Sequence, residues 1–182
     1  MNRNTFRILL IVLTFLGVII GTCTTEAHAS TAKNGGDFVV QINAGPKTWM
    51  IKKQARKVDA VVDGLTVRTS GDCTTADLCV DVNVDHYDHA EALDLSWGQL
   101  NNWGGLCTFP QPDHYVIYLN TLTTAGKLFR QQVALHEFGH ALGLPHMEGT
   151  GMMNPDGGRP DFFNDIELAT LWAKYAPYTT SG

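Results

Sequence analysis

The sequence predicts an α+β domain built on a twisted mixed sheet, and three observations lead there. Segments with a two-residue apolar repeat alternate with segments of helical repeat between Phe38 and Leu144, the order expected when strands and helices share one core. The stretch Ser30 to Gly182 is long enough to bury one ordinary core and too short for two. Its last third holds two apolar helical segments separated by the irregular stretch Gly151-Met152-Met153-Asn154-Pro155.

Residues 1–29 read as a secretory signal peptide. Asn2 to Arg7 is basic, Ile8 to Ile20 is apolar apart from Thr14 and Gly17, and Ala27-His28-Ala29 places small residues where a signal peptidase cuts. The apolar run is shorter than the roughly 20 residues that span a bilayer. Thr22 immediately before Cys23 makes a poor lipobox, so membrane attachment would require lipidation at Cys23 and the expectation is a secreted protein. Residues 30–182 then form one folded domain.

Within that domain, Phe38-Val39-Val40-Gln41-Ile42 reads as a first strand. Pro46 is placed to open a helix, Ile51, Ala55, Val58 and Val62 follow at helical spacing, and Gly64 closes it. Leu65 to Thr69 and Val80 to Asp85 alternate apolar and polar residues, as half-buried strands do. Gly104 to Phe109 is a Gly-rich stretch that by itself also fits a surface loop with Trp97 and Trp103 packed on the body, and Tyr115 to Leu119 is a further strand candidate. Val133, Ala134, Leu135, Phe138, Ala141 and Leu142 give the next helix an apolar body, with Thr123 or Thr124 available to cap its start.

That helix carries the most informative run in the chain, His136-Glu137-Phe138-Gly139-His140-Ala141-Leu142-Gly143-Leu144-Pro145-His146. His136 and His140 are four apart and share a helix face, so two neutral imidazoles can take two corners of a tetrahedral Zn²⁺ site. Gly143 can adopt the left-handed conformation that ends a helix, bringing His146 in as third ligand and leaving the fourth position open. An open position is the mark of a catalytic rather than a structural zinc. Glu137 is offset from the ligands but near enough to hold a water. Five such residues at fixed offsets arise by chance far less often than about 10⁻³ in a chain of this size.

The pattern His-Glu-x-x-His-x-x-Gly-x-x-His followed by a Met-turn resembles the metzincin zinc endopeptidases. Met153-Asn154-Pro155 is similar to the Met-x-Pro turn of the matrixin branch, and Asn164 to Trp172 is similar to the helix that closes matrixin catalytic domains. The strong resemblance covers about Leu135 to Tyr175, and a weaker one reaches back to about Pro46. It implies a zincin-like catalytic domain over residues 30–182, with an antiparallel edge strand, an active-site helix and a C-terminal helix after the Met-turn. It also implies one catalytic Zn²⁺ on His136, His140 and His146, with Glu137 as general base and Met153 as a packing floor under the imidazoles. Gly104 to Phe109 would lead into the strand that binds extended substrate, and Asn154 to Phe163 would wall the main specificity pocket.

Departures from the matrixin pattern bound these expectations. The second, structural zinc of that branch would need histidines that this chain lacks: His86-Tyr87-Asp88 and His114 are present, but Leu106, Cys107 and Thr108 occupy the next ligand's place. Asp81, Asp85, Asp88 and Asp94 are acidic enough for calcium, yet form no recognisable ligand loop, so calcium is unsupported. Met147 stands where matrixins often carry Ser or Thr. No cysteine between Ala29 and Lys47 could silence the zinc, which leaves Asp37 as the sole acidic candidate for a short plug.

The full chain carries a formal charge of −5, and loss of Arg3, Arg7 and Glu26 with the signal makes it one unit more negative. Mild acidity without a basic run argues against nucleic acid and anionic membranes; the expected partner is a protein or peptide substrate, met by a monomer. Beyond Ala29 there are three cysteines. Cys73 and Cys79 flank a short polar excursion between two strands, and export favours a bridge between them, with Cys107 outside it. The expected function is a secreted zinc metalloendopeptidase. The alternative is a catalytically silent, zinc-stabilised peptide-binding module, and Glu137 speaks against it, because a silent site has no use for a base.

Overall fold

Two parallel strands joined by a helix open the domain: β1 (Phe38–Ala44), α1 (Ile51–Asp59) and β2 (Leu65–Arg68). They belong to a computed structural model that describes residues 32, 36–45, 48–85, 104–120, 126–156 and 160–178. The expected signal peptide with Cys23, Pro46, Lys47, Thr123, Thr124, His86, Asp88 and Asp94 lie outside the described residues. The chain continues through β3 (Leu78–Asp85), β4 (Gly105–Gln111), β5 (His114–Asn120), α2 (Lys127–Ala141) and α3 (Asp165–Tyr175), ending in a 3₁₀ turn, Ala176–Tyr178.

Among the described residues five strands form one mixed sheet in the order β2-β1-β3-β5-β4. β1 lies parallel to both β2 and β3, β3 lies parallel to β5, and β4 alone runs antiparallel, on the edge beside β5. The expected mixed sheet with an antiparallel edge is therefore present, and the fold is α+β. β4 and β5 make a hairpin across Pro112-Asp113, with Asp113 at φ 59°. A register shift between Thr108 and Gln111 accommodates Pro110, a residue tolerated in sheets at edges and bulges.

Alternation along the strands separates the two faces of the sheet. Val40, Ile42, Leu78, Val80, Val82, Tyr115, Ile117 and Leu119 point into the core and meet α1 and α2 there. Ile51, Ala55 and Val58 supply the buried stripe of α1; Val133, Ala134, Leu135 and Phe138 supply that of α2. α3 closes the core with Leu171 and Tyr175, both buried, and the Tyr175 ring packs 5.3 Å from that of Phe38.

Two expectations about helix ends are corrected. α1 does not run on from Pro46: Trp49 and Met50 are left-handed, at φ 47° and 61°, and two such residues cannot continue an α-helix. It also ends before Val62, which is buried from the following turn, and Gly64 at φ 79° completes that turn. The N-cap of α2 is Gly126, without a side-chain cap bond; the expected caps, Thr123 and Thr124, lie outside the described residues. The expected bridge between Cys73 and Cys79 is present, with Cα atoms 5.4 Å apart, and Cys107 is buried in β4.

Candidate metal centre

α2 brings His136 and His140 to one face, one turn apart, and buries both. The helix ends as its sequence requires. Gly143 takes φ +91°, its N–H donates to the His140 carbonyl at 2.8 Å, and the Leu144 N–H donates to the Gly139 carbonyl at 2.9 Å. This pair of bonds is a Schellman motif, and it reverses the chain so that the half-buried His146 faces the other two rings.

The three Nε2 atoms then form a nearly equilateral triangle. His136 to His140 is 3.1 Å, His140 to His146 is 3.1 Å, and His136 to His146 is 3.3 Å. Three neutral imidazoles gain nothing from converging this closely, and a cation between them removes the conflict. At Zn–N of about 2.0–2.1 Å, the edge of a regular tetrahedron is about 3.3–3.4 Å. The donor set thus fits Zn²⁺ with little adjustment.

The opposite ring nitrogens are held. His136 Nδ1 lies 2.7 Å from the Met152 carbonyl oxygen, and His140 Nδ1 lies 2.9 Å from that of Leu144. A carbonyl can only accept, so each Nδ1 carries the proton and each Nε2 presents a lone pair inward. Such outer bonds fix tautomer and orientation and raise ligand basicity.

Glu137 is buried beside His136, against the start of β4. A Cβ on Gly105 would fall 2.7 Å from Glu137 Cγ and 2.8 Å from Val133 Cγ1, so the edge strand passes this close only because residue 105 has no side chain. Met153 is fully buried beneath the helix, where a Cβ on Gly139 would come within 2.5 Å of its sulfur and 3.1 Å of the Phe163 ring. The Met147 N–H donates to the Met153 carbonyl at 3.0 Å, which ties the residue after His146 to the same turn.

Several residues that hold this centre were not legible as site residues. Glu167, at the third position of α3, is fully buried. Its carboxylate accepts the N–H groups of Met152 at 3.1 Å, Met153 at 2.6 Å and Asn164 at 2.7 Å. The spacing Asn164-x-x-Glu167 is a capping-box signature, and both halves of the box are formed. Lys174 Nζ and Tyr175 Oη both donate to the Leu142 carbonyl, at 2.8 and 3.0 Å. They satisfy the end of α2, and the ammonium is favourably placed at the negative end of that helix. Desolvation lowers the Lys174 pKa from its ordinary value.

Other expected residues lie elsewhere. His114 pairs with Asp81, Nε2 to Oδ2 at 2.8 Å, on the face of the sheet turned away from α2. Asp37 accepts from Thr66 Oγ1 at 3.0 Å, beside the edge opposite β4. Of the expected pocket wall, Asn154–Asp156 and Pro160–Phe163 are described; Phe163 packs under α2, and Gln132 Nε2 donates to the Pro160 carbonyl at 3.3 Å.

No family model and no curated protein matches the sequence. Among solved structures, archaemetzincin from Methanopyrus kandleri is similar at 13% identity, over 80% of this chain and 98% of that one, with a TM-score of 0.43. Myroilysin is similar at 17% identity, over 81% of this chain and 64% of that one, with a TM-score of 0.35. Both likenesses are remote, and neither points to the matrixin branch in particular.

Proposed function

We propose that this chain is a secreted zinc-dependent endopeptidase that hydrolyses peptide bonds in proteins, with one catalytic ion on His136, His140 and His146. The observation that carries the reading is the triangle of Nε2 atoms, 3.1 to 3.3 Å on each side, with two of the rings locked through Nδ1 to backbone carbonyls. When bound, zinc supplies Lewis acidity, lowering the pKa of a water and polarising a carbonyl. The resemblance to metzincins, and within them to matrixins, rests on the His-Glu-x-x-His motif and the Met-x-Pro turn.

The chain's own groups do the rest. The Glu137 carboxylate accepts a proton from the attacking water and returns it to the leaving amine. Its side chain is buried between α2 and the start of β4. Among the described residues β4 is an edge strand, and its outer side would give an extended peptide main-chain donors and acceptors to add to the sheet as a further strand. Gly105 lets that strand pass close to Glu137, so a peptide added along β4 would run past the base. Residues 1–29 serve as the export signal.

Metal analysis and a cleavage assay test the reading together, on protein with the Cys73–Cys79 bridge intact. One zinc per chain is expected, with casein cleavage abolished by a chelator and restored by zinc. Absence of bound zinc, or cleavage that survives chelation, removes the proposal. Zinc without cleavage by the wild-type chain would instead identify a silent, zinc-stabilised peptide-binding module.

A further inference from the structure

The face of the sheet turned away from α2 carries a second cluster of ligand-type side chains. Cys79 and Asp81 are two apart in β3, so they share that face. Cys79 pairs in register with His114 of β5, and Asn43 of β1 pairs with Asp81. Ligand atoms of Cys79, Asp81 and His114 all lie within 4.8 Å of one another, and the bridge brings Cys73 to the same spot. All but Cys79, which is buried, are half-buried, so solvent reaches the cluster.

The centre of this cluster already holds a positive pole. Asn43 Nδ2 lies 3.1 Å from Cys73 Sγ, 3.7 Å from Cys79 Sγ and 3.0 Å from Asp81 Oδ1. One amide donor thus faces three groups that can each ligate a metal. On the far side, His114 Nε2 meets Asp81 Oδ2 at 2.8 Å, and His114 Nδ1 lies 2.8 Å from Gln111 Nε2. An amide nitrogen can only donate, so His114 Nδ1 is the acceptor and Nε2 carries the proton in the bridged protein. That tautomer suits the carboxylate.

We propose that Cys73, Cys79, Asp81 and His114 form a second metal site, for zinc or a similar thiophilic divalent ion, that exists only when the Cys73–Cys79 disulfide is reduced. A thiol reductant delivers two electrons to the bridge and becomes its own disulfide, and each freed sulfur takes up a proton. Metal binding expels those two protons and the proton on His114 Nε2, while Nδ1 gains one from solvent as the ring changes tautomer. Two thiolates, one carboxylate and one imidazole result. That set suits tetrahedral zinc and is too soft for calcium or magnesium. Tetrahedral zinc would separate such ligand atoms by about 3.3–3.8 Å, so the freed sulfurs and the Asp81–His114 pair must move apart, spacings near the 4.8 Å limit must close by about an ångström, and the Asn43 amide must swing aside. Reduction of one short bridge would thereby convert a structural link between the loop at Cys73 and β3 into a metal-dependent one. The His136, His140, His146 centre contains no sulfur, so the two sites are separable by their chemistry.

Cobalt(II) reports the difference directly, because a thiolate ligand gives it an intense charge-transfer absorption that imidazoles do not. The full chain is reduced with a water-soluble phosphine, freed of reagent without air, and titrated with cobalt(II) alongside the bridged protein. The expected result is a thiolate-to-cobalt band in the reduced chain only, saturating at one equivalent above whatever the bridged protein takes up. Cys73→Ser with Cys79→Ser removes the band although Cys23 and Cys107 remain; if that variant does not fold, Cys23→Ser with Cys107→Ser must keep the band in the reduced chain. His114→Ala and Asp81→Asn each weaken cobalt binding by more than the roughly tenfold that even an outer-shell partner contributes, and Asn43→Ala strengthens it. No band on reduction overturns the proposal, as does a band that survives the double serine variant or is equally tight without His114 and Asp81.

Discussion

Glu167 Oε1 accepts the backbone N–H of Met153 at 2.6 Å, and this bond ties the last helix to the turn beneath the imidazoles. Glu167 Oε2 accepts the neighbouring Met152 N–H, and the Met152 carbonyl in turn accepts from His136 Nδ1. A buried carboxylate thus orients a metal-type histidine through one peptide unit. Gly151 belongs to the same arrangement, since a Cβ there would collide with the Glu167 carboxylate.

Glu167→Ala is expected to do two things. It leaves buried amides of the turn without an acceptor, at about 1–3 kcal/mol each, so the melting temperature should fall by on the order of 10 °C. It also loosens the carbonyl that holds His136, which should weaken zinc binding roughly 10–100-fold. Glu167→Gln, which keeps one acceptor oxygen, should fall between. Thermal melts and competition with a chelating dye check both, and wild-type zinc affinity in Glu167→Ala would show that the turn does not orient His136.

Glu137→Ala should leave fold and zinc content intact, since it removes none of the three imidazoles. Cleavage of a peptide substrate should fall by more than the 10²–10⁴-fold typical of a lost general base, because the water also loses its orientation. A variant within a few-fold of wild type would mean that Glu137 is not the base.

Gly105→Ala probes the contact between the edge strand and that base. Its Cβ would press on Glu137 Cγ and Val133 Cγ1, and overpacking of this kind costs typically 1–3 kcal/mol. Because an ångström of misplacement can cost about 10²-fold in rate, kcat should fall by tenfold or more while zinc content stays constant. Equal loss of zinc and activity would place the damage in the ligands instead.

Tyr175 gives the alkaline limb of stability. Burial raises its pKa well above the ordinary value of 10.0, with the neighbouring Tyr115 and Tyr178 adding to the shift. Its contribution is therefore complete below about pH 10 and is lost as pH rises beyond, where the unfolded chain ionises this group and the folded one does not. The slope is up to about 1.4 kcal/mol per pH unit. Tyr175→Phe should lose about 1 kcal/mol at neutral pH with the Leu142 hydrogen bond, and should show a shallower decline from pH 9.5 to 11. Urea midpoints across that range measure it, and parallel curves would contradict the assignment.

The sequence by itself determined the parts of this protein that depend on neighbours along the chain. His136 and His140 share a face because a helix repeats every 3.6 residues, and Gly143 turns the chain because only glycine takes that conformation without strain. β2 and β3 were legible from their two-residue repeat, β1 and β5 as short apolar runs, β4 only through the family resemblance, and the Cys73–Cys79 bridge from its short loop. Ends set by longer-range geometry were not: α1 starts after two left-handed residues that no local pattern announces, and α2 starts at Lys127 behind Gly126, an N-cap with no side-chain bond. Tertiary structure alone decided which partners meet. Asn164-x-x-Glu167 reads locally as a cap, yet the same carboxylate also serves the turn at Met152 and Met153, and Lys174 and Tyr175 reach back to Leu142. Likewise His114 and Asp81 met on the outer face of β3 and β5 beside the disulfide, a pairing fixed by strand register. Periodicity fixes the face a residue occupies, but what lies opposite it depends on how distant segments pack, and that information is not carried in any short stretch of sequence.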